Sequence, residues 1–413
     1  MNLEIIRKCV NEGDLNELQA AVGMLIANED SNEIFAAAEE LSGFGYLEEA
    51  QILYEELRDR HPEESILYVN LAEILIELSQ EEEALVLLEN VNEGDELYPS
   101  TLILMADCYE SLGLTEVSEE KLLKAKSILP EDPVTSFALA EIYFVHGNIQ
   151  AALELYTSLN LERLNGVSIA NRIANCLVNL GQFEESLVYF DNAEKTIKEI
   201  NLHLEYGLAA YSAENYELAT RQFKKLLDMD KEYQSAYLYL SKSYEKLENI
   251  DLAILTAIKG LELDEFHKEM RLHLAQLYIL KNDLNQSVKI LQETIAIDPA
   301  YFEASLTLAK LYIQKEEFEN AIDLIKEIQK ESEEDPQFNW ILASSYNGLE
   351  DYKMATKYFE EAKIIFFENI EFLEEYAEFL IEEGKRDEAK KVILKLLELD
   401  PSNIEYLEAL DRI

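Results

Sequence analysis

A 34-residue period constrains this chain more than any other feature, because a segment that recurs at constant length must bury its apolar face against copies of itself. The repeat is visible in GYLEEAQILYEELRDRHP (45–62), GNIQAALELYTSL (147–159) and GQFEESLVYFDNA (181–193). Its starts fall at 31, 65, 99, 133, 167, 200, 234, 268, 302, 336 and 370, with nine steps of 34 residues and one of 33. The eighth place of the repeat is Ala in nine copies and Gly207 or Ser241 in the others. The twentieth is Ala in eight copies and Ser118, Ser186 or Ser287 in the rest. Two helices approach closely only where neither carries a bulky side chain, so these columns predict the crossing of a first helix (A) with a second (B). Bulky residues at places 7, 11, 24 and 27 surround the crossing at helical spacing, as with Tyr54, Phe190, Phe223 and Phe359 at the twenty-fourth. Gly45, Gly113, Gly147, Gly181 and Gly384 stand where helix A must end, and Pro62, Pro130, Pro299 and Pro401 where helix B must end.

This pattern resembles the tetratricopeptide repeat, a helix-turn-helix unit, over residues 31–403. Departures from the family pattern are the missing Trp at the fourth place, Gly260 and Thr294 at the twenty-seventh, and Ala210 at the eleventh. The resemblance implies an all-α fold, a right-handed superhelical solenoid of about eleven repeats. Residues 1–30 read as a degenerate capping helix pair around Gly13, and 404–413 as a C-terminal capping helix. No Ser/Gly-rich linker interrupts the array, so one solenoid is expected, although 413 residues would by length alone suggest two or three domains. Richness in Ile, Lys, Asn, Tyr and Glu resembles the long acidic repeat proteins of AT-rich Gram-positive bacteria, which act as cytoplasmic adaptors.

Composition narrows the function. With 35 Lys and Arg against 84 Asp and Glu, the net charge is −49, while 48% of the residues are hydrophobic. A chain that apolar can bury enough surface to fold. Its charge argues against nucleic acid, whose affinity comes from cations on phosphates, and against anionic membrane surfaces. No apolar run approaches the ~20 residues of a spanning helix, and the opening MNLEIIRKCVNEGDL is unlike a secretory signal. Cys9, Cys108 and Cys176 are an odd set that reads as reduced thiols in the cytoplasm. HExxH, zinc spacings of Cys and His, phosphate-cradling glycine loops and the EF-hand spacing are all missing from the sequence. No catalytic residue, metal or cofactor is therefore expected, and the residues outside the repeats are too few for a catalytic or DNA-binding domain. His267 and His273 read as solvated helix positions, and Cys108 and Cys176, both at the tenth place, as packing thiols.

What the resemblance implies about the surface can be read column by column. In the family, helix A lines a concave groove through its second, fifth, ninth and twelfth places. The fifth place carries Phe35, Val69, Ile103, Phe137, Asn171, Leu238, Leu306 and Trp340, a mostly apolar stripe. Such a stripe either waits for a partner or packs against the neighbouring repeat; Trp340, the only Trp, is the candidate anchor. The ninth place runs Glu39, Glu73, Asp107 and Glu141, then Asn175, Leu208, Lys242, Gln276, Lys310, Ser344 and Glu378. Residues 1–165 hold 8 basic and 35 acidic residues, and from Arg60 to Lys121 no cation intervenes among 16 acids. A concave surface of one sign steers a partner of the other. The family's carboxylate clamp for chaperone C-termini is not matched, since Asn171, Arg172 and Asn175 lack the Lys at the fifth place. The expected function is a non-enzymatic scaffold or adaptor that takes a basic, partly apolar protein or peptide segment in its acidic groove. The alternative is a structural protein that self-associates.

Overall fold

The computed structural model describes residues 2–27, 30–329 and 335–412. These form two compact units, Met1–Leu202 and His203–Ile413. The first begins with α1 (Asn2–Glu12) and α2 (Leu15–Ala27). Five helix pairs follow: α3 (Ser31–Gly43) with α4 (Leu47–Arg60), α5 (Ser65–Glu77) with α6 (Glu81–Leu88), α7 (Tyr98–Ser111) with α8 (Thr115–Ile128), α9 (Pro133–Val145) with α10 (Ile149–Ser158), and α11 (Ile169–Asn179) with α12 (Phe183–Glu194). The unit boundary falls inside α13 (Ile200–Ser212), which precedes α14 (Tyr216–Met229). The remaining pairs are α15 (Gln234–Lys246) and α16 (Ile250–Leu263), α17 (Lys268–Leu280) and α18 (Leu284–Ile297), α19 (Phe302–Gln314) and α20 (Phe318–Ile328), α21 (Pro336–Gly348) and α22 (Tyr352–Phe366), and α23 (Ile370–Glu382) and α24 (Arg386–Leu399). A single helix, α25 (Ile404–Arg412), follows the last pair. Within each unit the molecule is a stack of helix pairs, an all-α tetratricopeptide-type solenoid, and no described helix is long and apolar enough to cross a membrane.

The turn from A to B is made the same way in all eleven pairs. The second residue of the turn donates its N–H to the carbonyl five residues back, as in Tyr46 to Leu41 (2.9 Å), Asn148 to Tyr143 (2.8 Å) and Lys385 to Leu380 (2.9 Å). This closure satisfies a carbonyl the helix end would leave orphaned, and it needs a left-handed residue just before the donor. Five of those residues are glycines, including Gly147 at φ +80°; the others are Ser79, Glu214, Glu248, Asn282, Glu316 and Glu350, at φ between 56° and 61°.

The two small columns are the crossing points. Ala38, Ala72, Ala140, Ala275 and Ala309 on the A side have no exposure, and neither do Ala50, Ala84, Ala152, Ala321 and Ala389 on the B side. Two serines there are satisfied across the contact: Ser118 Oγ donates to the Ala106 carbonyl at 2.7 Å and Ser241 Oγ to that of Ala253 at 2.8 Å. Gly207 is explained by its neighbour, since a Cβ there would lie 2.6 Å from the Phe223 ring. Around the crossings run the cores; the last is aromatic, with Phe359 stacked on Phe379 (4.8 Å) and Tyr376 (5.3 Å).

Two departures from the sequence reading stand out. A two-stranded hairpin, β1 (Arg163–Leu164) and β2 (Val167–Ser168), precedes α11, paired Arg163 to Ser168 and Leu164 to Val167. Its turn residues Asn165 and Gly166 both have positive φ, 48° and 82°, the geometry that suits the twist of a tight hairpin. His273, expected to be solvated, is buried between helices. The Ser241 hydroxyl donates its proton to the Ala253 carbonyl, so it accepts from His273 Nε2–H at 2.9 Å. Burial, with the Lys242 charge adding to it, pushes the imidazole down to about 4. His267 instead caps α17, its Nδ1 accepting from the Met270 N–H at 3.3 Å. Cys9, Cys108 and Cys176 are buried, and burial raises the thiols of Cys108 and Cys176 to about 11.

Candidate protein-binding groove

The A helices of the first unit carry the acidic row. Successive A helices present the same face one repeat apart, so ninth-place side chains recur along the stack. Glu39, Glu73 and Asp107 are exposed and, among the described residues, form no ion pair. Partial burial, then repulsion from Glu77, holds the Glu73 carboxyl above the ordinary carboxylate range; for Asp107 the causes are burial and then Glu110. Both effects penalise the anion, and a cation placed between these groups would relieve them.

The fourth acid behaves differently. Glu141 is half-buried, ion-paired to Arg172 Nε at 2.8 Å, and accepts a hydrogen bond from the Tyr156 hydroxyl. The row is therefore three free acids and one neutralised acid. Its neutralising partner, Arg172, is the residue after Asn171, whose Oδ1 is buried without a hydrogen-bond partner among the described residues. Asn175 is half-buried on the same helix.

The fifth-place stripe serves packing as much as exposure. Phe35 lies edge-on to Tyr54 (5.8 Å) and Phe137 to Tyr156 (5.9 Å), each resting on the twenty-fourth-place ring of its own repeat. Val69 is 5% exposed and Leu238 4%, so both belong to the core, while Ile103, Phe137 and Leu306 are half-buried.

One cavity gathers both columns. It measures about 290 Å³ and lies between α7 and α9, with Ile103, Val134 and Phe137 as apolar wall and Asp107, Glu110 and Glu141 as polar wall. Asn165, at the tip of the hairpin, closes one side. Sequence alone does not single out Glu110 or Asn165. Glu110 stands at the twelfth place, whose other occupants are mixed, and Asn165 carries only the Asn-Gly hairpin signal.

In the second unit, Lys242 is engaged by Glu269 at 2.7 Å and lies 5.6 Å from the centre of the Tyr239 ring. Lys310 and Trp340 meet at a cavity of about 360 Å³ that also involves Glu371 and Glu375. Trp340 is fixed from behind: its Nε1–H donates to Glu375 at 2.6 Å and its ring packs on Phe366 (5.3 Å) and Phe372 (5.4 Å). Burial raises the Glu375 carboxyl, against the hydrogen bonds from Ser344 and Trp340. Trp340 is thus a core member with one face on the cavity. Among the described residues, no group of His, Cys, Asp and Glu is arranged to hold a metal.

Comparison with known proteins gives four matches to family models. Two are described as YpiA-like tetratricopeptide repeats, at residues 110–163 and, for the C-terminal repeats, 336–403; two as tetratricopeptide repeat, at 204–266 and 282–343. The TPR repeat-containing protein YpiA of Bacillus subtilis (strain 168) is 38% identical over 413 residues, covering 100% of this chain and 97% of that protein. Among solved structures, the APC/C hetero-tetramer Cut9-Hcn1 aligns over 99% of this chain and 95% of that one, at 15% identity and a TM-score of 0.44. YrrB, described as a TPR protein with an unusual peptide-binding site, aligns over 45% of this chain and 96% of its own, at 17% identity and a TM-score of 0.40.

Proposed function

The chain belongs to the YpiA-like tetratricopeptide-repeat family, and from that premise we propose that it is a cytoplasmic scaffold whose first unit receives a basic, partly apolar segment of another protein. Tetratricopeptide repeats are in general non-enzymatic platforms for protein–protein interaction. The observation that carries the finer reading is the run of free acids Glu39, Glu73 and Asp107 beside half-buried Phe35, Ile103 and Phe137. The Glu73 and Asp107 carboxyls already bear the cost of burial and of the neighbouring Glu77 and Glu110, and that cost falls when a cationic partner binds. The apolar neighbours supply area that a partner can cover.

The test is reversal of the row. Glu39, Glu73, Asp107 and Glu141 are changed to Lys, and the affinity of the protein captured by the wild type is measured over a salt series. A loss of at least tenfold and a flatter salt dependence are expected, because fewer ionic contacts remain to be screened. Unchanged affinity with unchanged salt dependence would overturn the reading.

A further inference from the structure

The step from one repeat to the next is filled differently at two equivalent places. Where the fourth repeat meets the fifth, the ninth-place acid Glu141 is paired with the sixth-place Arg172 of the following helix, at 2.8 Å. Where the third meets the fourth, the acid is Asp107 and the sixth-place residue of the following helix is Ala138. The space that a guanidinium fills at one step is open at the other, and it is the 290 Å³ cavity, which Ala138 and Asp107 both line.

What surrounds that space calls for a cation. Glu110, one turn on from Asp107, has its Oε1 2.7 Å from His146 Nε2, while its Oε2 is shielded from solvent with no hydrogen-bond partner among the described residues. A buried carboxylate oxygen left unpaired is costly, and a donor that reaches it regains that cost. Both acids lie in the closing turns of α7, where the helix dipole adds negative potential and the helix itself carries no basic residue. The Asn165 side-chain carbonyl offers a further acceptor from the hairpin. Phe137, Ile103 and Val134 make an apolar passage suited to a methylene stem.

We propose that this cavity is an anchoring subsite for a single arginine side chain of the partner, with its guanidinium between Asp107, Glu110 and Asn165 and its stem along Phe137. The choice of arginine over lysine follows from the acceptors, two carboxylates one turn apart on α7 and an amide carbonyl on the hairpin turn, which lie on separate sides of the cavity. A planar group with five donors can serve several of them at once, while an ammonium is a point charge that loses more hydration on entry. The inference rests on the groove reading and adds to it the residue type recognised and the place of recognition.

The experiment uses the full chain and three labelled nonapeptides that differ only at the centre: arginine, lysine, or citrulline, the neutral isostere of arginine, each flanked by leucine. Fluorescence anisotropy should show the arginine peptide binding at least tenfold tighter than the citrulline peptide and several-fold tighter than the lysine peptide. Two variants should bring the arginine-to-citrulline ratio close to one. Glu110→Gln removes the orphaned charge, and Ala138→Arg supplies the guanidinium from within. Ala138→Arg should also raise the melting temperature, a readout that separates plugging from misfolding. Equal binding of arginine and citrulline peptides by the wild type, equal binding of arginine and lysine, or an unchanged ratio in Ala138→Arg would each overturn the subsite. If the ratio is one but reversal of the ninth-place row still releases the captured partner, the groove reading stands and only the anchor falls. If neither measurement responds, the groove reading falls with it.

Discussion

Single residues decide how well each A–B turn is made. The left-handed position is needed in every pair, and only five pairs place Gly there, the ones whose glycines mark the turn in the sequence. At Glu214, Glu248, Glu316 and Glu350 a Cβ is forced against its own carbonyl, at a cost of about 1–2 kcal/mol each. Glycine would remove that cost and return part of it as extra freedom of the unfolded chain. Glu248→Gly and Glu350→Gly are therefore expected to stabilise the protein by about 0.5–1 kcal/mol each. The urea midpoint should rise with an unchanged m-value, and a lower midpoint would count against the account. These four turns are invisible in the sequence because a Glu accepted into left-handed backbone carries no compositional mark. Trp340 shows the converse limit: its place in the column is legible, but its bond to Glu375 and its contacts with Phe366 and Phe372 depend on residues of the next helices.

At the scale of helices, the small columns are the device that matters. Eighth- and twentieth-place residues predict the crossings because closeness is a steric requirement of the pair itself, independent of what lies further away. Gly207 is the extreme case, with the Phe223 ring occupying the volume a methyl would take. Gly207→Ala should destabilise by about 1–3 kcal/mol, the usual cost of overpacking a filled core, although alanine is the better helix former. Thermal unfolding of the variant checks this; a gain in Tm would show that Phe223 moves aside freely. The hairpin at 163–168 escapes a reading by pattern, since strands of two residues have no periodicity. His273 escapes it for a related reason: its burial depends on the preceding repeat, whose Ser241 supplies its acceptor.

Across the whole molecule, charge has the longest reach. Residues 1–165 contain 35 acids against 8 cations, and the chain as a whole stands at −49. Repulsion on that scale opposes the compact state and is screened over about 8 Å at physiological ionic strength. Raising NaCl from near zero to about 0.2 M should therefore raise the melting temperature; a fall would mean that attractive pairs such as Arg172 with Glu141 outweigh the repulsion. The period, the pairing of helices and the crossing columns were all determined by the sequence, because each follows from a pattern that repeats from copy to copy. Which acids stay free was decided only by the tertiary structure. Glu141 and Asp107 occupy the same place in their repeats, yet one faces Arg172 and the other an open cavity beside Ala138. A periodic place specifies the direction in which a side chain points, while the group that meets it there belongs to the next helix.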